Sequence, residues 1–174
     1  EAGRLVAHWH RATRDLDHPF AFSRPLAHDI AHHMAVLEAA LREHPEHALA
    51  NEVRALGQSI AGSYEELGAW DREQVGVTHG DLKISNLRFD EQGRGVCLLD
   101  LDTMGRGPLS LELGDAWRSW CNPASEDATE TRFDLSLFEA SARGYLEVNP
   151  VDSVEALPAG VERICVELAA RFAA

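Results

Sequence analysis

Between residues 78 and 108 the chain gathers carboxylates and an amide at spacings that suit chemistry on a charged group. His79, Gly80 and Asp81 are followed by Asn86, five residues after Asp81. Asp100 and Asp102 stand at the end of an apolar run that begins at Val96. Residues 87–90 and 96–101 have the composition of two short strands, and Glu91-Gln92-Gly93-Arg94-Gly95 between them is turn chemistry. A hairpin of that kind folds the chain back, so Asn86 and Asp100 are expected to finish near each other with Asp81 beside them. Three carboxylates crowded in this way would repel one another and be costly to desolvate. A hard divalent cation relieves that crowding, and Mg²⁺ takes oxygen ligands of this type, usually with a phosphate completing its shell.

The spacing His-x-Asp-x-x-x-x-Asn followed by a further Asp resembles the catalytic loop of the protein-kinase-like superfamily. More narrowly, Gly80 where protein kinases carry Arg, and Leu98-Leu99-Asp100-Leu101-Asp102-Thr103 where they carry Asp-Phe-Gly, are similar to the aminoglycoside phosphotransferase and choline kinase family. Within it, the run from Asp100 through Gly114 and Asp115 most resembles the N-acetylhexosamine kinase-like branch. The specific motifs span residues 78–118; the likeness is weak before them and nearly absent after. The resemblance implies ATP- and Mg²⁺-dependent phosphorylation of a hydroxyl on a small metabolite such as a sugar, an amino sugar or an aminoglycoside. It makes Asp81 the base or orienter of that hydroxyl, Asn86 a Mg²⁺ ligand, and Asp100 the main metal ligand bridging the ATP phosphates. Asp102 is then a second ligand, since related kinases carry an Asp-x-Glu pair there. Lys83 matches a position at which a protein-kinase Lys contacts the transferred phosphate, and Arg106 is placed to face phosphate or substrate. Glu112 stands where the family usually has an Asp that holds the catalytic loop by hydrogen bonds. A typical protein kinase is excluded: there is no room for an activation segment between Asp100 and the helix expected near Ser110, and no Ala-Pro-Glu follows.

The elements that must position these residues are mostly helical. Apolar positions at Leu5, Val6, Trp9, Ala12, Thr13 and Leu16 predict an amphipathic helix over 2–16, on which His8 and His10, two apart, face different sides. Residues 17–25 form a connector pinned by Phe20 and Phe22. A helix is expected from Pro25 or Leu26 to about Arg42, and a second from about His47 to Leu67. His28, His32 and His33 include an i, i+4 pair that could bind a metal but lacks a third clear ligand. Trp70 to Gln74 reads as a linker, and Val75-Gly76-Val77 as a short strand delivering the loop. Gly105 and Gly107 permit a tight backbone beside the metal site. A helix over 110–121 carries Leu113, Trp117 and Trp120, tryptophans that fit a core better than a sugar platform. Asp115 and Arg118, three apart on it, either pair or line the substrate side. After a polar loop at 122–130, helices are expected at 131–145 and 158–172, the second apolar at Val161, Ile164, Cys165, Leu168 and Phe172.

The fold expected is mainly α with a small β-hairpin: the C-terminal lobe of an aminoglycoside phosphotransferase-like fold. It divides into a helical part (1–74), the catalytic and metal-binding loops with their hairpin (75–109), and a second helical part (110–174). The chain opens on Glu1 and shows neither a glycine-rich phosphate loop nor a strand Lys paired with a helix Glu. An N-terminal nucleotide-covering lobe is therefore expected to be missing, leaving the isolated chain inactive and prone to self-association through an uncovered face. At 174 residues and 45% hydrophobic there is enough chain for a sizeable core. The net charge of −13 argues against nucleic acid and anionic membrane as partners, and no apolar run approaches a membrane span. Cys97, Cys121 and Cys165 read as reduced thiols of a cytoplasmic protein. Two rivals to the phosphotransferase stand beside it: a non-catalytic kinase-like binding or scaffold module, and a metal-dependent hydrolase, which would need a water-activating set the Asp cluster lacks.

Overall fold

Helices make up most of the molecule, and two antiparallel ribbons interrupt them. The structure, a computed structural model, describes residues 1–20, 26–68, 74–124, 128, 130–151, 154 and 156–174. In chain order the elements are α1 (Ala2–Ala12), α2 (Ile30–Glu43), α3 (Ala50–Glu66), β1 (Val75–Thr78), β2 (Leu87–Phe89), β3 (Gly95–Leu98), β4 (Gly105–Pro108), α4 (Leu109–Trp120), α5 (Leu135–Leu146) and α6 (Ala156–Ala173). Single 3₁₀ turns at Ile84–Asn86 and Leu101–Thr103 lead into β2 and β4.

The expected hairpin is β2 paired with β3, Leu87 opposite Leu98 and Arg88 opposite Cys97. Its turn is closed by Asp90, whose Oδ1 accepts the N–H groups of Gln92 and Arg94. The second ribbon was not expected: β4 lies antiparallel to β1, with Thr78 opposite Gly105 and Val77 opposite Arg106. Gly105 and Gly107 thus belong to a strand and not to a bare loop.

The chain forms two compact units, each built from two stretches of sequence. The unit of residues 1–23 and 72–161 holds α1, the ribbons, α4 and α5 around Val6, Ala7, Leu82, Leu87, Leu113, Ala116, Trp117 and Tyr145. Trp117 is fully buried and meets Phe138 edge to face, ring centroids 5.0 Å apart, so it is core as expected. Helices α1 and α5 cross backbone to backbone: a Cβ on Gly3 would fall 2.0 Å from the Ser141 carbonyl oxygen, so only glycine fits. The unit of residues 24–71 and 162–174 packs α2, α3 and the later turns of α6 around Ile30, Met34, Leu37, Ile60 and Ala170.

Several helix limits differ from those the periodicity predicts, and side-chain caps explain two of them. α2 begins at Ile30 because Asp29 accepts the His32 N–H at 2.9 Å, and α5 begins at Leu135 because Asp134 accepts the N–H groups of Ser136 and Leu137. α1 ends at Ala12, leaving Leu16 exposed. In α6 burial follows Val161, Ile164, Glu167 and Ala170, so Cys165 and Phe172, expected on the apolar face, are exposed. Phe22, Pro25 and most of the 70–74 linker lie outside the described residues.

Candidate active site

His79 is the residue on which the site is assembled. It is fully buried, and all four of its hydrogen-bonding groups are used. Its N–H donates to Glu112 Oε1 at 2.6 Å, and its carbonyl accepts the Thr103 hydroxyl at 2.7 Å. On the ring, Nδ1 faces the Asp81 N–H at 3.3 Å and Nε2 lies 2.8 Å from the Leu99 carbonyl oxygen. The amide must donate and the carbonyl must accept, so the imidazole is neutral with its proton on Nε2. One side chain therefore ties the loop carrying Asp81 to the strand end carrying Asp100.

Gly80, at φ 81°, makes the turn that a side chain would resist, and its N–H donates to Glu112 Oε2 at 3.0 Å. Glu112, on the buried face of α4, thus clasps two consecutive backbone amides. The longer side chain fulfils the loop-holding role that the resemblance gave to an Asp. Further along, the Leu82 carbonyl accepts the Trp120 indole N–H at 2.6 Å. This tryptophan holds the loop, a task its spacing on α4 did not reveal.

Held in this way, Asp81 presents a carboxylate partly open to solvent. Its Oδ2 accepts from Lys83 Nζ at 2.8 Å and from Asn86 Nδ2 at 3.1 Å. Asn86 also donates to the Asp81 carbonyl at 2.9 Å, which fixes the amide and leaves its Oδ1 for another ligand. The Leu99 N–H donates to the Asn86 carbonyl at 2.8 Å. Leu99 is thereby pinned on both sides, and the next residue, Asp100, takes a left-handed backbone at φ 65°. Asp100 and Asp102 are both exposed.

The crowding of three carboxylates expected from the sequence is not found: among the described residues no three His, Cys, Asp or Glu side chains converge as metal ligands. Asp81 has turned to the Lys83 ammonium and the Asn86 amide, which offset its charge locally. What remains, Asn86 Oδ1 with the exposed carboxylates of Asp100 and Asp102, is an all-oxygen donor set that fits Mg²⁺. Arg106, opposite Val77 on β4, donates to the Leu16 carbonyl oxygen. Asp115 and Arg118 pair with each other, Nε and a terminal guanidinium nitrogen on Oδ1 at 3.0 and 2.8 Å. The three histidines do not form a metal site: His28 lies before α2 begins, so the i, i+4 geometry does not apply. Its Nδ1 lies 3.1 Å from Glu167 Oε1, whereas His33 Nε2 lies 3.3 Å from the Ala27 carbonyl oxygen.

Behind the clasp runs a polar chain that the sequence did not reveal, buried from Glu112 to Asn149 and ending at the exposed Arg14. His10, on α1, faces Glu112 Oε1 through Nε2 at 3.5 Å, and its Nδ1 meets the Tyr145 hydroxyl at 2.9 Å. Asn149 donates to that hydroxyl at 2.8 Å and accepts from Arg14 at 2.6 Å. Burial pushes the Tyr145 phenol up to about 12.

A sequence profile of the phosphotransferase enzyme family matches residues 1–150, and the chain belongs to that family. Its fold is similar to that of an aminoglycoside-3'-phosphotransferase of type VIII, with a TM-score of 0.55 and 20% identity over 95% of this chain and 60% of the other. A choline kinase, LicA from Streptococcus pneumoniae, matches with a TM-score of 0.48 and 15% identity, over 98% of this chain and 55% of that protein. The chain therefore spans about 60% of the length of the first and 55% of the second.

Proposed function

We propose that the protein is an ATP- and Mg²⁺-dependent phosphotransferase acting on a hydroxyl of a small metabolite, of the sugar, amino sugar or aminoglycoside-like class. The observation that carries this reading is the state of Asp81. Its Oδ2 is held by Lys83 and Asn86, and its Oδ1 is left to meet an acceptor hydroxyl. In the reaction proposed, the acceptor oxygen bonds to the γ-phosphorus of ATP as Asp81 takes its proton. The bond from that phosphorus to the β–γ bridging oxygen breaks, and ADP leaves. Lys83, already paired with Asp81, would offset charge on the phosphoryl group being transferred. Asn86 Oδ1, Asp100 and Asp102 would hold Mg²⁺, which supplies charge neutralisation across the phosphates. Arg106, Asp115 and Arg118 are retained as candidates for the substrate side. The proposal includes a nucleotide-covering lobe supplied from outside these residues.

The test is ADP release from Mg²⁺–ATP by the complete protein, screened against amino sugars, aminoglycosides, choline and homoserine. Turnover with at least one of these alcohols, abolished by Asp81→Asn, is expected. No ADP release above background with any of them, alongside normal binding of Mg²⁺–ATP, would favour a binding module and overturn the proposal.

A further inference from the structure

The polar chain behind Glu112, which starts at the exposed Arg14 and is buried from Asn149 onward, has a direction. Arg14 can only donate, so Asn149 receives it on Oδ1 and turns its Nδ2 to the Tyr145 hydroxyl. That hydroxyl, having accepted one N–H, has its own proton to place, and the partner within reach is His10 Nδ1 at 2.9 Å. His10 then carries its proton on Nε2, the nitrogen that faces Glu112 Oε1 at 3.5 Å. A proton on Nδ1 instead would leave the phenolic hydrogen buried without an acceptor, whereas in this tautomer the buried Nε2–H makes no full hydrogen bond and has the Glu112 carboxylate 3.5 Å away. Every donor in the series points towards Glu112, whose two oxygens hold the His79 and Gly80 amides. Both ends of the His10–Glu112 contact are sealed from water, with side chains 1% and 3% exposed. The crossing of α1 and α5 at Gly3 brings the members of this chain together.

We propose that His10, oriented by the Arg14–Asn149–Tyr145 chain, is a positioning residue: its Nε2–H steers the Glu112 carboxylate and so sets the loop that presents Asp81. Its consequence for turnover rests on the phosphotransferase reading above. The steering of the loop does not. At 3.5 Å the contact is longer than an ordinary hydrogen bond, so it acts by orienting the carboxylate in a dry interior, where such contacts are poorly screened.

Amide hydrogen exchange at His79 and Gly80 measures the loop directly, with the amides of α3, outside this network, as the internal reference. In the complete protein, His10→Phe is expected to speed exchange at His79 and Gly80 by about tenfold or more relative to α3, because an orienting contact to a buried charge is lost. His10→Gln, whose amide oxygen and nitrogen stand in for the acceptor and the donor, is expected to recover most of that protection. Tyr145→Phe removes one hydroxyl only and should act in the same direction, so it carries the test if His10→Phe fails to fold. With an acceptor alcohol in hand, kcat should fall in parallel by about tenfold in His10→Phe while both KM values stay within about twofold, since the loss is in positioning and not in binding. Exchange at His79 and Gly80 that tracks α3 in His10→Phe and Tyr145→Phe, or a His10→Gln that recovers nothing, would make His10 a packing residue and overturn the proposal. So would faster exchange with an unchanged kcat. A wild-type protein without turnover would instead remove the phosphotransferase reading, and exchange alone would then decide the role of His10.

Discussion

Glu112→Gln takes one acceptor from a carboxylate that holds two consecutive backbone amides inside the molecule. The wild-type side chain is 3% exposed and receives His79 N–H at 2.6 Å on one oxygen and Gly80 N–H at 3.0 Å on the other. An amide in its place keeps a single acceptor and turns its own N–H₂ towards the second donor. One hydrogen bond to a charged group is lost, about 1.5–3 kcal/mol, and one buried donor is left facing another, about 1–3 kcal/mol. The two losses share a residue, so they overlap, and a total of about 3–4 kcal/mol is the working figure. If the loop loosens while the rest stands, that energy comes out of the competent population, and kcat falls by roughly two to three decades. If the fully buried His79 drags the core with it, the same energy appears as a Tm lowered by roughly 6–16 °C, at about 2–4 °C per kcal/mol. Steady-state turnover and thermal unfolding measured on one preparation capture both routes. A variant within about threefold of wild type in kcat and about 1 kcal/mol in stability would refute the clasp, because no route for the lost bonds would remain.

Asp81→Asn is expected to remove about two to four decades of turnover while Mg²⁺–ATP still binds, as befits loss of a base; a rate within a few-fold of wild type would reassign the residue. In calorimetric titration with Mg²⁺–ATP, Asp100→Ala should weaken binding more than Asp102→Ala, because Leu99 is pinned on both sides immediately before Asp100. Equal or reversed effects would show the pair wrongly ordered. Tyr145 gives an alkaline signature: burial raises its folded value to about 12 against about 10 when unfolded, so the unfolded chain loses that proton first. Stability from this group is complete below pH about 10 and drains as pH rises towards 12, a slope that Tyr145→Phe should remove from unfolding midpoints measured across that window.

The local fold of the stretch from His79 to Leu98 was legible because its signals are local. The spacing from His79 to Asn86 and the turn chemistry at residues 91–95 each specify structure within a few residues, and β2 pairs with β3 as expected. The β1–β4 ribbon was not, since Val75 finds its partner at Pro108 and nothing in Gly105-Arg106-Gly107-Pro108 alternates like a strand. The apolar periodicity ran past the caps at Asp29 and Asp134 and drew both helices too long. The carboxylate crowding was not found, and Asp81 is instead paired with Lys83, two residues away, a contact within reach of the sequence spacing. His10 and Tyr145 are 135 residues apart, and no local pattern marks a buried histidine that serves a carboxylate on a third helix.

Holding the loop and presenting side-chain oxygens to solvent fall to different side chains here, a division on which the proposed chemistry rests. Glu112, Thr103, Trp120 and the His79 ring spend their hydrogen bonds on backbone groups. Asp81 Oδ1, Asn86 Oδ1, Asp100 and Asp102 are the oxygens left over. A loop held through its own peptide groups can keep its carboxylates exposed without collapsing on them, which is the preorganisation that electrostatic catalysis needs. Asp100 shows where the strain of that arrangement sits. A non-glycine residue at φ 65° costs about 1–2 kcal/mol, and it is tolerated because Leu99 is bonded to Asn86 on one side and to His79 on the other. Asn accepts this conformation readily and Ala does not. Asp100→Asn therefore isolates the loss of charge, and any additional damage in Asp100→Ala measures how firmly the two bonds at Leu99 impose the backbone that aims the carboxylate.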